Sequence, residues 1–256
     1  MSDVHSAASQ GFGMEAKTYA RGRPEYPASL LPWLKQEIGL APGKSVIDLG
    51  SGTGKFSTLL VQSGARVLAV EPVAAMREQF ARKYPTLTQY EGTAQAMPLE
   101  TASVDAVLCA QAFHWFATEA ALAEIHRVLR PGGKLGLVWN VRDESVDWVA
   151  AITKIITPFE GDAPRFYKGD WRKAFGGGLF GDLAQTSFAY QHQGTVQEVI
   201  MDRFLSVSFI AILPLAQKAI VENQLRALIS SHPELAARPS IDFPYRTQAY
   251  CCTRLD

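Results

Sequence analysis

The stretch Val46-Ile47-Asp48-Leu49-Gly50-Ser51-Gly52-Thr53-Gly54-Lys55-Phe56 constrains this chain more than any other. An apolar run ends in an acid and is followed by three glycines at alternate positions. A short, continuously apolar run bounded by turn residues reads as a strand buried on both faces of a parallel sheet. Glycine, having no Cβ, serves where the backbone must turn sharply or lie against a ligand. The spacing predicts a tight turn and then a helix starting at Lys55, whose free N–H groups would face a polar ligand. A nucleoside-type cofactor at the tip of the first core strand is the expectation.

Two commoner glycine loops do not fit. A phosphate-cradling loop needs Gly, four residues, then Gly-Lys-Ser/Thr. Here Gly54-Lys55 is followed by Phe56, and Leu49 stands where the first glycine is required. The dinucleotide fingerprint G-x-G-x-x-G uses its third glycine for close helix–strand packing. Counted from Gly50 and Gly52, that position is Lys55.

Further along the chain, apolar strand patterns alternate with helical ones. Ser45–Leu49, Arg66–Glu71, Leu87–Tyr90, Val104–Ala110 and Lys134–Trp139 read as strands. Phe56–Ser63, Ala74–Tyr84 and Ala117–Leu129 read as helices between them, and Ser29–Ile38 as a helix before them. Such alternation argues for a parallel sheet with right-handed crossovers. After Asn140 the rhythm breaks. Ser145–Thr157 reads as a helix, Pro158–Phe180 as irregular, Ala184–Gln191 as a sixth strand, and Thr195–Ser206 and Leu213–Ser231 as helical. Ile241–Leu255 reads as a last strand, in which Pro244 points to an edge or a bulge.

At 256 residues with 47% apolar content, the chain can build a sizeable core. Its 25 basic and 25 acidic residues cancel. That balance lacks the electrostatic footprint of a nucleic-acid binder. No apolar run reaches membrane-spanning length. No secretory leader is visible in Met1–Gly13, so a cytoplasmic protein is expected. Cys109, Cys251 and Cys252 form no metal or disulfide framework. Monomer and homodimer both remain open.

In an open parallel sheet, ligands bind beyond the carboxyl ends of the strands. The residues there are the glycine loop, Glu71 after the second strand, Gly92–Pro98 after the third, Gln111–Phe116 after the fourth and Asn140–Asp143 after the fifth. An acid at the second position can accept hydrogen bonds from ribose hydroxyls.

The acid followed by G-x-G-x-G resembles motif I of the class I S-adenosylmethionine-dependent methyltransferases. Residues 44–143 look like that family's core throughout, and Leu129-Arg130-Pro131-Gly132-Gly133-Lys134 resembles its turn before the fifth strand. Tyr19–Pro27, Gln111–Phe116 and Pro244-Tyr245-Arg246-Thr247 resemble the subgroup of small-molecule enzymes related to trans-aconitate methyltransferases. The resemblance implies a Rossmann-like, seven-stranded, mostly parallel sheet with helices on both faces, an antiparallel last strand and a helical cap. It implies one structural unit, arranged as an N-terminal lid (1–43), a cofactor-binding core (44–145), a cap insertion (146–183) and a C-terminal completion of the sheet (184–256).

It also implies roles. S-adenosylmethionine would be held by Asp48, Gly50, Ser51, Gly52, Thr53 and Gly54. Glu71, Pro72 and Met76, with Val73, would meet the ribose and adenine, and Thr93, Ala94 and Gln95 the adenine edge. Ala110 and Gln111 would lie along the methionine tail, with Tyr19 and Arg23 folding over from the lid. The acceptor would be a small molecule bound near Trp115 and Arg142, methylated on a carboxylate or hydroxyl oxygen. Phe113, Phe116, Trp139, Trp148, Phe166, Tyr167 and Trp171 are further candidate pocket walls, and Arg246 a further candidate for holding an acid. His114 is the candidate general base, since an imidazole titrates near neutrality. The Asn/Asp-Pro-Pro-Tyr/Phe motif of base-methylating members is missing after the fourth strand, which argues against a nucleic-acid substrate. A non-catalytic cofactor-binding protein and a nicotinamide-dependent oxidoreductase are the competing readings.

Overall fold

The computed structural model describes residues 23–256. Seven strands form one sheet in the order β3-β2-β1-β4-β5-β7-β6. They are β1 (Ser45–Leu49), β2 (Arg66–Val70), β3 (Thr88–Tyr90), β4 (Val104–Ala110), β5 (Leu129–Arg142), β6 (Ala184–Gly194) and β7 (Ile241–Thr253). β1 to β5 pair in parallel, and β7 runs antiparallel to both of its neighbours. This is the expected mostly parallel Rossmann-like sheet.

Each crossover helix turns an apolar stripe to the sheet. α1 (Leu30–Gln36), α2 (Ser57–Gln62), α3 (Ala74–Lys83) and α4 (Glu119–Val128) take the expected places. In α4, Ala121, Leu122, Ile125 and Val128 are buried, the spacing of one helical face. Thr118 caps it by accepting from the Ala121 N–H at 3.2 Å, and His126 and Arg127 sit in its last turn, where they complement the helix dipole. On one face of the sheet, α4 and the turns around Trp171 and Phe180 cover Val107, Leu137 and Trp139. On the other, Leu30, Trp33 and Leu34 of α1 and Leu59 and Leu60 of α2 cover Val46, Val67 and Val138.

A third apolar cluster sits at the start of β7, which lies at the carboxyl end of the parallel strands. It joins α5 (Asp147–Ile156), the π-helical turn Gln197–Asp202, α6 (Arg203–Leu205), α7 (Ser208–Ala211) and α8 (Leu215–Ser231) around Phe243 and Tyr245. This cluster, the cap, takes in residues well beyond the expected insertion at 146–183. The stretch between α5 and β6 is a series of 3₁₀ turns, so its irregular reading holds. It serves two places at once: Ala163 belongs to the cap core, whereas Trp171, Ala174 and Phe180 pack on the sheet.

Several details differ from expectation: β5 begins at Leu129, within the expected turn, and β6 runs on to Gly194. β5 extends past Trp139 to Arg142, because β7 pairs with it through Arg142↔Tyr245. β7 is interior rather than an edge, β6 being the edge strand. Pro244 is tolerated because it lies one residue beyond the last β5 pair. Its carbonyl accepts from Asp143 at 3.1 Å, so its nitrogen faces the side where β5 has ended and no ladder donor is lost.

Gly136 in β5 shows how tightly the layers are set. A Cβ there would strike Leu108 Cδ1 and come within 2.9 Å of Ile38 Cδ1 and 3.3 Å of Trp33. Overpacking of this kind costs about 1–3 kcal/mol. Gly136→Ala is therefore expected to lower the melting temperature by roughly 2–10 °C. An unchanged melting temperature in calorimetry would mean that α1 is free to shift.

Candidate active site

The carboxyl ends of β1, β2 and β4 border a cleft of about 1300 Å³, including its open mouth. Its walls carry Arg23, Asp48, Gly50, Ser51, Gly52, Thr53, Glu71, Pro72, Met76, Thr93, Ala94, Gln95, Ala110, Gln111 and Trp115. Nearly every sequence-derived cofactor candidate is thus brought together. Gly54 is not among them, and Tyr19 lies outside the described residues.

The three glycines of the loop all have positive φ, at 71°, 56° and 78° for Gly50, Gly52 and Gly54. Their surroundings separate them. A Cβ on Gly50 would come within 2.8 Å of Ala112, and one on Gly54 within 2.7 Å of Tyr84 and 2.9 Å of Phe80. These two are required by packing. A Cβ on Gly52 would meet nothing within 4 Å, so Gly52 is the glycine that leaves room in the cleft. α2 begins at Ser57 rather than Lys55 and is six residues long. Residues 52–56 form the turn, and Ser57, fully buried, donates its hydroxyl to Asp48 Oδ2 at 2.5 Å. The loop's open face, not a helix N-terminus, presents this strand tip to the cleft.

Two buried acids dominate this half. Glu71 Oε2 accepts from the Gly52 N–H at 3.0 Å and Oε1 from the Val73 N–H at 2.9 Å. The carboxylate thereby ties the glycine loop to the turn before α3. A carboxylate has about four lone-pair sites, so it retains capacity to accept from a ligand. Burial raises its pKa, the two backbone N–H groups opposing. Burial also pushes Asp48 up to about 7, against the Ser57 hydrogen bond, with Glu71 adding repulsion. Asp48 Oδ1 and Ser51 Oγ are buried with no partner. Unsatisfied acceptors on the wall of a roomy cleft fit a ligand bearing ammonium and hydroxyl donors. The donor set therefore suits S-adenosylmethionine.

Gln111 and Asn140 close the far side of this cleft. Gln111 has φ of 56°, a left-handed conformation that non-glycine residues seldom adopt and that marks functional sites when the surroundings enforce it. Its N–H bonds the Val138 carbonyl at 2.8 Å and its Nε2 the Asn140 carbonyl at 3.0 Å. Asn140 Nδ2 donates to the Glu25 carbonyl at 2.9 Å, and its Oδ1 accepts from Thr247 Oγ1 at 2.6 Å.

Beyond Gln111 and Trp115, a second cavity of about 750 Å³, including its open mouth, lies under the cap. His114, Trp139, Arg142, Phe166 and Tyr167 line it, joined by Glu144, Arg165, Arg203 and Ser208. Trp115, Arg23, Gln111, Asn140 and Arg203 border both spaces. Phe116 faces the first. Of the other aromatic candidates, Phe113 and Trp171 belong to the sheet core and Trp148 to the cap core. Arg246 lines neither space; it lies on the surface, paired with Asp143 at 3.3 Å.

His114 Nδ1 accepts from the Trp139 indole N–H at 3.0 Å. Burial, with Arg165 and Arg23 adding repulsion, lowers its pKa to about 3. The imidazole is therefore neutral at pH 7, and its remaining proton sits on Nε2. Tyr167 is held by Glu160, to which it donates at 2.5 Å, and burial and that contact push its pKa to about 12. Arg165 and Arg203 were not legible in the sequence: Arg165 comes from the stretch of 3₁₀ turns after α5 and Arg203 from the start of α6, with no motif around either.

Comparison with known proteins agrees with this geometry. Residues 47–137 match a methyltransferase domain model. The chain is 38% identical over 242 residues to an uncharacterized methyltransferase-like protein of Schizosaccharomyces pombe, covering 93% of each. It is 37% identical to an uncharacterized methyltransferase of Mycobacterium tuberculosis, again covering 93% of each. A crystal structure from Anabaena variabilis, assigned to a methyltransferase of an antibiotic biosynthesis pathway, superposes with a TM-score of 0.62 at 20% identity. It covers 93% of this chain and all of that one.

This chain is a class I S-adenosylmethionine-dependent methyltransferase. The oxidoreductase and non-catalytic readings fall away, and S-adenosylmethionine is the cofactor. Among the described residues no helix is long and apolar enough to cross a membrane, and no group of three or more His, Cys, Asp or Glu side chains is arranged to hold a metal ion.

Buried Asp48 gives the methyltransferase a pH signature. The unfolded chain releases this proton near pH 4, whereas the fold retains it to about 7. Between those values the folded state binds more protons, so its stability falls as pH rises. In the ligand-free protein the Asp48 contribution to this loss from pH 4 to 8 is expected to be of order a few kcal/mol, with Glu71 acting in the same direction and His114, whose pKa is lowered, acting in the opposite direction below about pH 6.5. Asp48→Asn should flatten this part of the profile in denaturant titrations; parallel profiles for the two proteins would contradict the assignment.

Proposed function

We propose that this methyltransferase transfers the methyl group to a carboxylate oxygen of a small organic acid. The observation that carries this reading is the state of His114. The side chain best suited to be a base already accepts a hydrogen bond on Nδ1 and carries its proton on Nε2. Tyr167 is held by Glu160. Glu144 is half exposed and bound to Thr153 at 2.9 Å and Arg142 at 3.7 Å. A hydroxyl acceptor would have to lose a proton to one of these. A carboxylate arrives already ionised.

When bound, the cofactor supplies an electrophilic sulfonium methyl. The acceptor oxygen attacks that carbon in line; the O–C bond forms as the C–S bond breaks, and the bonding pair stays on sulfur. No proton moves, so the protein's task is alignment. In this reading Gly50 to Thr53, Asp48 and Glu71 hold the amino acid and ribose portions. Pro72, Met76, Thr93, Ala94 and Gln95 enclose the adenine. Arg23, Ala110 and Gln111 bound the methionine tail. Trp115 separates the cofactor from the acceptor, His114 Nε2–H donates to the acceptor, and Arg142 lines the acceptor's cavity beyond it. Gly54 shapes the loop through packing alone.

Two measurements test this. Glu71→Ala removes the ribose acceptor and leaves the Gly52 and Val73 N–H groups unpaired. Calorimetry should find S-adenosylhomocysteine affinity reduced at least about tenfold, on the order of the 1.5–3 kcal/mol of a charged hydrogen bond; undiminished affinity would displace Glu71 from the site. A panel of carboxylic acids, alcohols and phenols, read by S-adenosylhomocysteine formation, should yield alkali-labile methyl esters. The turnover number should be flat between pH 6 and 9, and His114→Gln should slow it by about tenfold or less, the loss of one neutral hydrogen bond. A rate rising with pH through the histidine range and a loss above about a hundredfold in His114→Gln would restore His114 as the base.

A further inference from the structure

Arg142, Arg165 and Arg203 meet at the second cavity from three parts of the chain: the end of β5, the turns after α5, and the first residue of α6. Arg203 is 7% exposed, and its Nε and Nη1 are buried with no hydrogen-bond partner. The side chains of Arg142 and Arg165 are 10% and 18% exposed. Each guanidinium lies over a ring, Arg142 and Arg203 over Phe204 and Arg165 over Phe209. The rings orient the cations without neutralising them.

The counter-charge is incomplete. Arg142 has one acid, Glu144, at 3.7 Å, and Glu144 is half exposed. Arg165 has Glu160 at 3.4 Å, but Glu160 also takes Lys168 at 2.9 Å and the Tyr167 hydroxyl. After burial, Arg203 is the largest influence depressing Arg142, and Arg142 the largest depressing Arg165, which falls to about 10. The three guanidiniums repel one another. Buried cations are ordinarily paired. An unpaired donor at the wall of a cavity is a place for a ligand's acceptor, and a guanidinium fork suits an oxyanion held through two oxygens.

We infer that Arg142, Arg165 and Arg203 form an oxyanion subsite, and that the acceptor carries a second anionic group besides the carboxylate that is methylated. Arg203 borders the cofactor cleft as well as the cavity and faces the reacting end. Arg142 and Arg165 border the cavity alone and take the remote anion. The π-helical turn Gln197–Asp202 immediately before Arg203 is the kind of irregularity that re-aims a side chain at a functional site. The inference rests on the carboxylate reading above and adds to it the charge and length of the acceptor.

The test is equilibrium binding to the complex with S-adenosylhomocysteine, followed by quenching of tryptophan fluorescence and confirmed by calorimetry. The probes are dicarboxylates of increasing length, their half-amides, and the matching phosphonocarboxylates. At one chain length the dicarboxylate should bind at least tenfold more tightly than its half-amide. Arg165→Gln should remove that advantage while S-adenosylhomocysteine affinity, the check that the site has folded, changes less than threefold. Arg165→Lys, which keeps the charge but not the fork, should restore part of it. A phosphonocarboxylate binding better than the dicarboxylate would assign the remote anion as a phosphate. Equal affinity for dicarboxylate and half-amide at every length, or an advantage that survives Arg165→Gln, would overturn the subsite. Esters formed equally well from monocarboxylates would remove the subsite and leave the carboxylate reading standing. Selective binding of dianions with methyl transfer only to hydroxyl acceptors would do the reverse.

Discussion

Asn140 is the point on which the two halves of this enzyme are joined. Its carbonyl holds Gln111 at the end of β4, its Nδ2 holds the Glu25 carbonyl of the segment before α1, and its Oδ1 holds Thr247 of β7. Thr247 is fully buried and Asn140 nearly so. A buried amide is stable only when its donors and acceptors are met, and here the partners come from three distant parts of the chain. The register Asn140↔Thr247 fixes Arg142 opposite Tyr245, and Tyr245 with Phe243 is the floor on which the cap helices pack. Asn140 borders both the cofactor cleft and the second cavity, so its contacts hold together the segments that wall them.

The sheet was legible because its signal is local. β1 to β4 are short apolar runs between turn residues, and their ends fell within a residue of those read from sequence. β5 was under-read because its last residues, Asn140 to Arg142, are held as strand by β7, more than a hundred positions away. The glycine loop was legible as a motif, but not the division of labour within it: whether a glycine serves packing or open space is decided by Ala112, Phe80 and Tyr84. Arg246 and Trp148 carried the right chemistry and proved to be a surface ion pair and a core ring. Arg165 and Arg203 had no sequence signature, since each acquires its neighbours from distant parts of the chain. His114 was visible as an imidazole near the site, yet its protonation is set by Trp139, a partner on another strand.

Charge divides along the cleft. The half beneath β1 and β2 carries Asp48 and Glu71, both buried and both raised in pKa by that burial. The half beneath the cap carries arginines whose own protons are loosened for the same reason. A low-dielectric wall disfavours either charge, and each half relieves that penalty most by taking a ligand of opposite sign. A sulfonium that also bears an ammonium suits the acidic half, and the proposed acid suits the basic one. The two ligands then meet at Gln111 and Trp115, where the cleft and cavity share a wall.

A chain with no net charge can thus hold two fields of opposite sign a short distance apart. At physiological ionic strength, surface charges are screened within about 8 Å, so the balance of the whole molecule says little about either pocket. Buried charges are screened far less. Composition could argue against a nucleic-acid partner, which requires a continuous basic surface, but it was silent about an anionic small molecule, which requires only a few arginines around one cavity. The proposed oxyanion subsite accordingly rests on residues that the cofactor-binding motifs neither contain nor predict.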